Sequence, residues 1–309
     1  MPDGRMNVAV SVDGAYIMPL EVMLHSLARN VDRELHVYLL YGSLDEVGRK
    51  SIRDFVEGRC GGRLHEVFID GKPFEEYLDP RSSWSVEMFY RLMLPYVLDP
   101  DVGRILWMDA DMVVCGNIDG FYDADMGRRY LCGVPDRDGR EHAARLRLDP
   151  RQTYFNSGML LFNLPAIRKE IPERRIFEFL AENRGRLRLP DQDALNCLMG
   201  HNALMLDERI YNNQDHLYGK LPHDARVIHY VQNIKPWKAY YCGDRYAASR
   251  FWEYASGCGF RRGIFSPVGN SVGRLLFPVY KGMKSGRIYA AYHKLRYCRP
   301  PYRGGTGAG

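Results

Sequence analysis

Two carboxylates one residue apart, Asp109-Ala110-Asp111, close the apolar run Ile105-Leu106-Trp107-Met108, and a second apolar run follows from Met112 to Cys115. A short run of this kind reads as a buried strand. Residues i and i+2 of a strand point to one side, so the pair sets two like charges together at a strand end. That is costly unless a positive group lies between them. A hard divalent cation, Mg²⁺ or Mn²⁺, holding a diphosphate would supply the charge. An isolated Asp-x-Asp is more often a solvated turn, so its meaning depends on its company.

Four further constellations carry polar chemistry. Asp13 and Tyr16 follow the first apolar strand, where α/β sheets bind ligands. The Asp can accept from a base or ribose and the Tyr ring can stack, or the two can be a capping Asp and a half-buried ring. Neither G-x-G-x-x-G nor a Walker A sequence is present. Tyr154-Phe155-Asn156-Ser157-Gly158 leads into the apolar Met159 to Phe162, as a turn or as neutral donors and acceptors for sugar hydroxyls. Pro190-Asp191-Gln192-Asp193 opens a helix. N-capping accounts for Asp191 but less well for its neighbours. Finally, His229-Tyr230 precedes Lys235-Pro236-Trp237. A His can complete a carboxylate metal site and a Lys can offset a diphosphate, although a lone His here would be an ordinary core residue.

The elements that must position these groups alternate. Strands are expected at Asn7 to Val12, Leu35 to Leu40 and Leu64 to Ile69, with helices at Pro19 to Asn30 and Leu44 to Val56 between them. This is the βαβ pattern of a mostly parallel sheet. A helix is expected from Ser85 to Leu98, despite Pro95, carrying Arg91. Further strands are expected at Tyr130 to Val134, Gly158 to Asn163 and Val227 to Tyr230, and helices at Pro172 to Asn183 and Gln192 to Met199.

Residues 1–255 read as one domain and 256–309 as an appendage. The chain is +5 overall, yet after Glu253 there are ten Lys and Arg and no acidic residue, so the preceding part is net negative. Ile288, Tyr292 and Leu295 recur at helical spacing among Lys284, Arg287 and Lys294. A basic helix of this kind can rest on an anionic membrane surface or pack on the domain. No motif frames the charge for nucleic acid, so none is expected as a partner. Seven scattered cysteines without a C-x-x-C pair suggest reduced thiols. The N-terminus lacks a signal-peptide pattern and no apolar stretch is long enough to span a bilayer. The expected location is the cytoplasm, peripheral at the inner face of the membrane if the tail binds there and does not pack on the domain.

Asp109-Ala110-Asp111, Phe155-Asn156-Ser157-Gly158, Asp191-Gln192-Asp193 and His229-x5-Lys235-Pro236-Trp237, in this order, resemble the family 8 glycosyltransferases, among them bacterial lipopolysaccharide galactosyl- and glucosyltransferases and glycogenin. The resemblance covers roughly residues 6–240. It implies a GT-A fold, a UDP-hexose donor, a glycan or glycolipid acceptor, Mn²⁺ (or Mg²⁺) and retention of anomeric configuration. It implies Asp109, Asp111 and His229 as metal ligands, Asp13 and Tyr16 around the uridine, Arg91 beside the donor sugar and phosphate, and Lys235 on the diphosphate. Asn156, Asp191 and Gln192 match positions around the transferred sugar, and Ala110, Ser157 and Gln232 are further donor-site positions. Ala15 and Gln232 depart from the family pattern, where a polar nucleotide contact and a glycine are common. Gln192 is too weakly basic for a nucleophile, so front-face attack with Gln192 stabilising a cationic sugar is expected, Asp193 being the fallback nucleophile. Rivals are a haloacid-dehalogenase-like phosphatase, whose Asp-x-Asp strand opens the domain, and a UDP-sugar-binding protein without turnover.

Overall fold

The computed structural model describes residues 4–78, 84–218, 221–238 and 241–261. β1 (Arg5–Ser11), α1 (Ile17–Ala28), β2 (Glu34–Tyr41), α2 (Glu46–Arg59) and β3 (Arg63–Phe68) form the parallel start. α3 (Lys72–Glu75), a 3-10 helix (Val86–Met93) and α4 (Leu94–Val97) lead to β4 (Arg104–Met108) and β5 (Met112–Val114). Then come α5 (Asp119–Tyr122), β6 (Leu131–Gly133), α6 (Gly139–Leu146), β7 (Met159–Asn163), α7 (Leu164–Glu170), α8 (Glu173–Glu182) and α9 (Pro190–Met199). β8 (Ala203–Met205), β9 (Val227–His229) and α10 (Arg245–Gly257) complete the described chain.

The main sheet has seven strands in the order β3-β2-β1-β4-β7-β6-β8, and β5 pairs with β9 in a separate two-stranded sheet. In the main sheet β7 alone runs against the other six, being antiparallel to both β4 and β6. Both faces are covered. Leu106 and Met108 of β4 enter one core with α1, α2, α10 and the β5–β9 sheet, while Ile105 and Trp107 enter the other with α4, α7, α8 and α9. Burial on both faces is why these strands read as unbroken apolar runs.

The expected helix over Ser85 to Leu98 is instead a 3-10 helix followed by one α-turn. Pro95 has no N–H to return to the preceding turn, so the chain restarts with Pro in the first turn of α4. α3, α5, α6, α7, β8 and α10 are additional to the sequence reading. Ala255 and Cys258 lie in the first core. The basic tail helix expected around Lys284 to Leu295 lies outside the described residues. Among the described residues no helix is long and apolar enough to cross a membrane.

Candidate active site

The polar residues gather where most of the strands end. Asp109 leaves β4, and because β7 runs the other way, its start lies beside that end. Met108 pairs with Met159, and the Asp109 N–H donates to Gly158 O at 2.8 Å. Asn156, Ser157 and Gly158 are thus brought to Asp109. Met112 pairs with His229 across β5 and β9, and the Tyr230 N–H donates to Asp111 O at 2.9 Å. The start of α9 closes the group, with the Ser157 N–H donating to Gln192 Oε1 at 2.8 Å.

Asp109 Oδ1 accepts from Arg91 Nη2 at 2.8 Å and Trp107 Nε1 at 2.9 Å, while Oδ2 lies 4.0 Å from His229 Nε2. Asp111 Oδ2 accepts from Lys235, which also donates to Tyr230 O. Asp111 Oδ1 is buried, accepts no hydrogen bond, and lies 3.2 Å from His229 Nε2. The other ring nitrogen, Nδ1, is 2.8 Å from Asn212 Oδ1. One ligand atom from each of Asp109, Asp111 and His229 therefore converges, all within 4.8 Å of one another. Two carboxylates and an imidazole, with a buried oxygen left unsatisfied between them, fit a divalent cation such as Mn²⁺ or Mg²⁺. Burial would raise the Asp111 carboxyl, but Lys235 first, and His229 when its ring is protonated, outweigh it and hold it well below the usual range.

Arg91 ties this cluster to the start of α9. Its buried guanidinium donates to Ser157 O at 2.7 Å and Ser157 Oγ at 2.9 Å, lies 3.2 Å from Asp191 Oδ2, and covers the Trp107 ring at 4.6 Å. Burial, with some help from Asp109, pushes the Asp191 carboxyl up against the pull of Arg91. Gln192 is held at both ends, its Nε2 donating to Asp136 Oδ2 at 3.2 Å and to the Tyr154 hydroxyl at 3.3 Å. Asn156 donates to the same Asp136 oxygen at 3.0 Å.

The remaining candidates stand around this centre. Asp13 caps the turn after β1 through the Ala15 N–H at 2.9 Å, and burial pushes its carboxyl up. Tyr16 meets Trp237 edge to face at 6.2 Å, beside Lys235 in sequence. Ala110 is buried between the two aspartates. Gln232 is exposed at φ +63°, the left-handed region a glycine would favour, and donates to the Tyr218 hydroxyl.

Asp193 departs from its expected role. Its carboxylate has no exposure and accepts from Arg145 at 2.8 and 3.0 Å, from Tyr154 at 2.7 Å and from the Arg188 and Leu189 amides at 2.9 and 3.2 Å. Those bonds occupy the lone pairs a nucleophile would need and tie the start of α9 to Arg145 and Tyr154. Asp136, Asn212 and Trp107 were not singled out from the sequence. Asp136 follows β6, which is a signal of the right kind; Asn212 sits in a polar run, Asn212-Asn213-Gln214, that reads as a loop.

The model of glycosyl transferase family 8 matches residues 7–240. The chain belongs to that family. General stress protein A of Bacillus subtilis is 23% identical over 257 residues, covering 77% of this chain and 89% of that protein. A lipopolysaccharide 1,2-glucosyltransferase of Escherichia coli is 28% identical over 185 residues, 55% of this chain, and the match spans about half of that relative, 54%. The galactosyltransferase LgtC, solved with donor and acceptor sugar analogs, superposes with a TM-score of 0.70 at 22% identity, covering 82% of this chain and 96% of LgtC. The fold is GT-A, as the motifs led us to expect.

Proposed function

We propose that this glycosyltransferase moves galactose or glucose from a UDP-sugar to a glycan or glycolipid acceptor, with retention, in the synthesis of a cell-surface polysaccharide or lipopolysaccharide. The observation that carries the reading is the convergence of Asp109, Asp111 and His229, with Lys235 and Arg91 against their carboxylates. Mn²⁺ or Mg²⁺ held there supplies charge that offsets the diphosphate as UDP leaves. Lys235 and Arg91 add fixed positive charge beside it. Asp13 and Tyr16 hold the uridine, and Gln232 lies beside the diphosphate. Asn156, Ser157 and Asp191 surround the transferred sugar. Gln192 is oriented before the sugar arrives: Ser157 fixes its carbonyl oxygen, and Asp136 and Tyr154 fix its amide nitrogen. A preorganised carbonyl dipole stabilises positive charge on the anomeric carbon without reorganising. With Asp193 engaged elsewhere, front-face attack is the favoured route. The likeness to a lipopolysaccharide glucosyltransferase and to the galactosyltransferase LgtC supports a hexose donor. The basic composition after Glu253 supports work in the cytoplasm at the inner membrane face.

The test is a screen of UDP-galactose, UDP-glucose and UDP-GlcNAc for slow hydrolysis, with and without Mn²⁺, followed by proton NMR of the product's anomeric centre. Cation-dependent UDP release from a hexose donor and an α-linked product are expected. UDP binding without turnover would make the chain a binding protein, and a β-linked product would overturn retention.

A further inference from the structure

The His229 ring can carry its proton on either nitrogen, and only one choice leaves a lone pair facing the two aspartates. Its surroundings decide which. Asn156 Oδ1 accepts the Gly158 N–H at 2.9 Å and Asn156 Nδ2 donates to Asp136 Oδ2 at 3.0 Å. A backbone N–H only donates and a carboxylate only accepts, so this amide stands one way round. Asn156 Oδ1 lies 3.0 Å from Asn212, which must present its Nδ2 there. The far end of Asn212 is therefore its carbonyl oxygen, 2.8 Å from His229 Nδ1. The Nδ1 position must be the donor, so in the neutral ring Nε2 is left bare toward Asp111 Oδ1. Asn212 has no exposure and sits at φ +54°, a conformation that Asn tolerates better than most side chains. The same chain of amides ends at Asp136, which also accepts from Gln192.

We propose that Asn212 is a positioning residue that imposes the Nδ1–H tautomer on His229 and so aims the Nε2 lone pair at Asp109 and Asp111 before any cation arrives. The proposal rests on reading those three residues as a cation site, and its test separates the two. Nitrogen-15 NMR of the cation-free protein, at a pH where the imidazole is neutral, reads the tautomer. Titration with Mn²⁺, followed by electron paramagnetic resonance, reads affinity. Asn212→Gly removes the acceptor and is unstrained at this φ, whereas Asn212→Asp keeps an acceptor for Nδ1–H. The wild type and Asn212→Asp are expected to show the Nδ1–H form. Asn212→Gly is expected to show a mixture and to bind Mn²⁺ about 10- to 100-fold more weakly. An Nε2–H form in the wild type overturns the proposal, as does Asn212→Gly with wild-type spectrum and affinity. Should Asn212→Gly fail to fold, an Nε2–H form in Asn212→Asp overturns it equally. A wild type with the expected tautomer but no Mn²⁺ binding upholds Asn212 and sinks only the cation site.

Discussion

Met112 and His229 are direct partners across β5 and β9, and that pairing sets the imidazole beside Asp111. Gly158 packs against both. A Cβ there would meet Met112 Cε at 2.8 Å and fall on the imidazole itself. Gly158→Ala should therefore displace His229, weakening Mn²⁺ binding at least tenfold while the circular dichroism of the fold is kept. Unchanged affinity would mean that the ring has room to yield.

Asp111→Asn should abolish cation-dependent turnover. It should also leave the buried Lys235 without its partner, at a cost of roughly 3 kcal/mol. The double variant Asp111→Asn/Lys235→Met should recover the lost stability in a urea melt but none of the activity. Turnover near wild type in Asp111→Asn, with or without metal, would refute the ligand assignment.

Gln192 and Asp193 should part company. Asp193→Asn breaks a fully buried, five-fold bonded carboxylate and should cost about 3 kcal/mol or more, read as a falling unfolding midpoint. Gln192→Ala should lose less stability, about 1–3 kcal/mol for the buried Ser157 N–H left without an acceptor, yet lose kcat far more than UDP affinity, because its dipole acts on charge that develops only in the transition state. Equal losses of kcat and UDP affinity would make Gln192 a binding residue only.

Acid stability should depend on His216. Burial pushes its imidazole down to about 3 from the ordinary 6.5, so it is neutral in the fold. Between those values the unfolded chain binds a proton that the folded one refuses, and stability falls as pH falls, by up to about 1.4 kcal/mol per pH unit. His216→Gln keeps a donor for Val231 O, which Nε2 faces at 3.1 Å. Its urea midpoint should vary less between pH 6.5 and pH 3 than that of the wild type. Parallel pH curves would show that His216 titrates normally.

The basic tail can be tested by vesicle co-sedimentation. The intact chain should bind anionic vesicles at low salt and release at high salt, each Lys or Arg near the surface adding about 1 kcal/mol. A chain ending near Arg262 should stay in solution and keep activity on a soluble acceptor. Equal partitioning would place the tail's role elsewhere.

The central strands β4 and β7 were legible because burial on both faces leaves unbroken apolar runs, as at Ile105 to Met108. The metal-ligand candidates were legible because costly polar residues interrupt such runs. Other parts leave fainter marks. β8 is only three half-buried residues, Ala203–Met205, and α6 is mostly polar. Missing α6 meant missing Arg145, and without Arg145 the Asp193 carboxylate looks like a reactive neighbour of Gln192 instead of a buried anchor. Asp136 and Asn212 matter through which atom of an amide faces which, and residue type alone does not encode that.

The pairing of β5 with β9 has a cost during synthesis. The seven-stranded sheet has all its strands once Met205 is made, yet β5, made at Met112 to Val114, has its partner only at Val227 to His229. At about 5–20 residues per second, the growing chain carries that apolar strand, bare along its pairing edge, for on the order of ten seconds. Met112, Val113 and Val114 can pack against α1 from the start, since the Val114 N–H donates to Ser26 Oγ, but their other edge stays open until the strand that carries His229 is made.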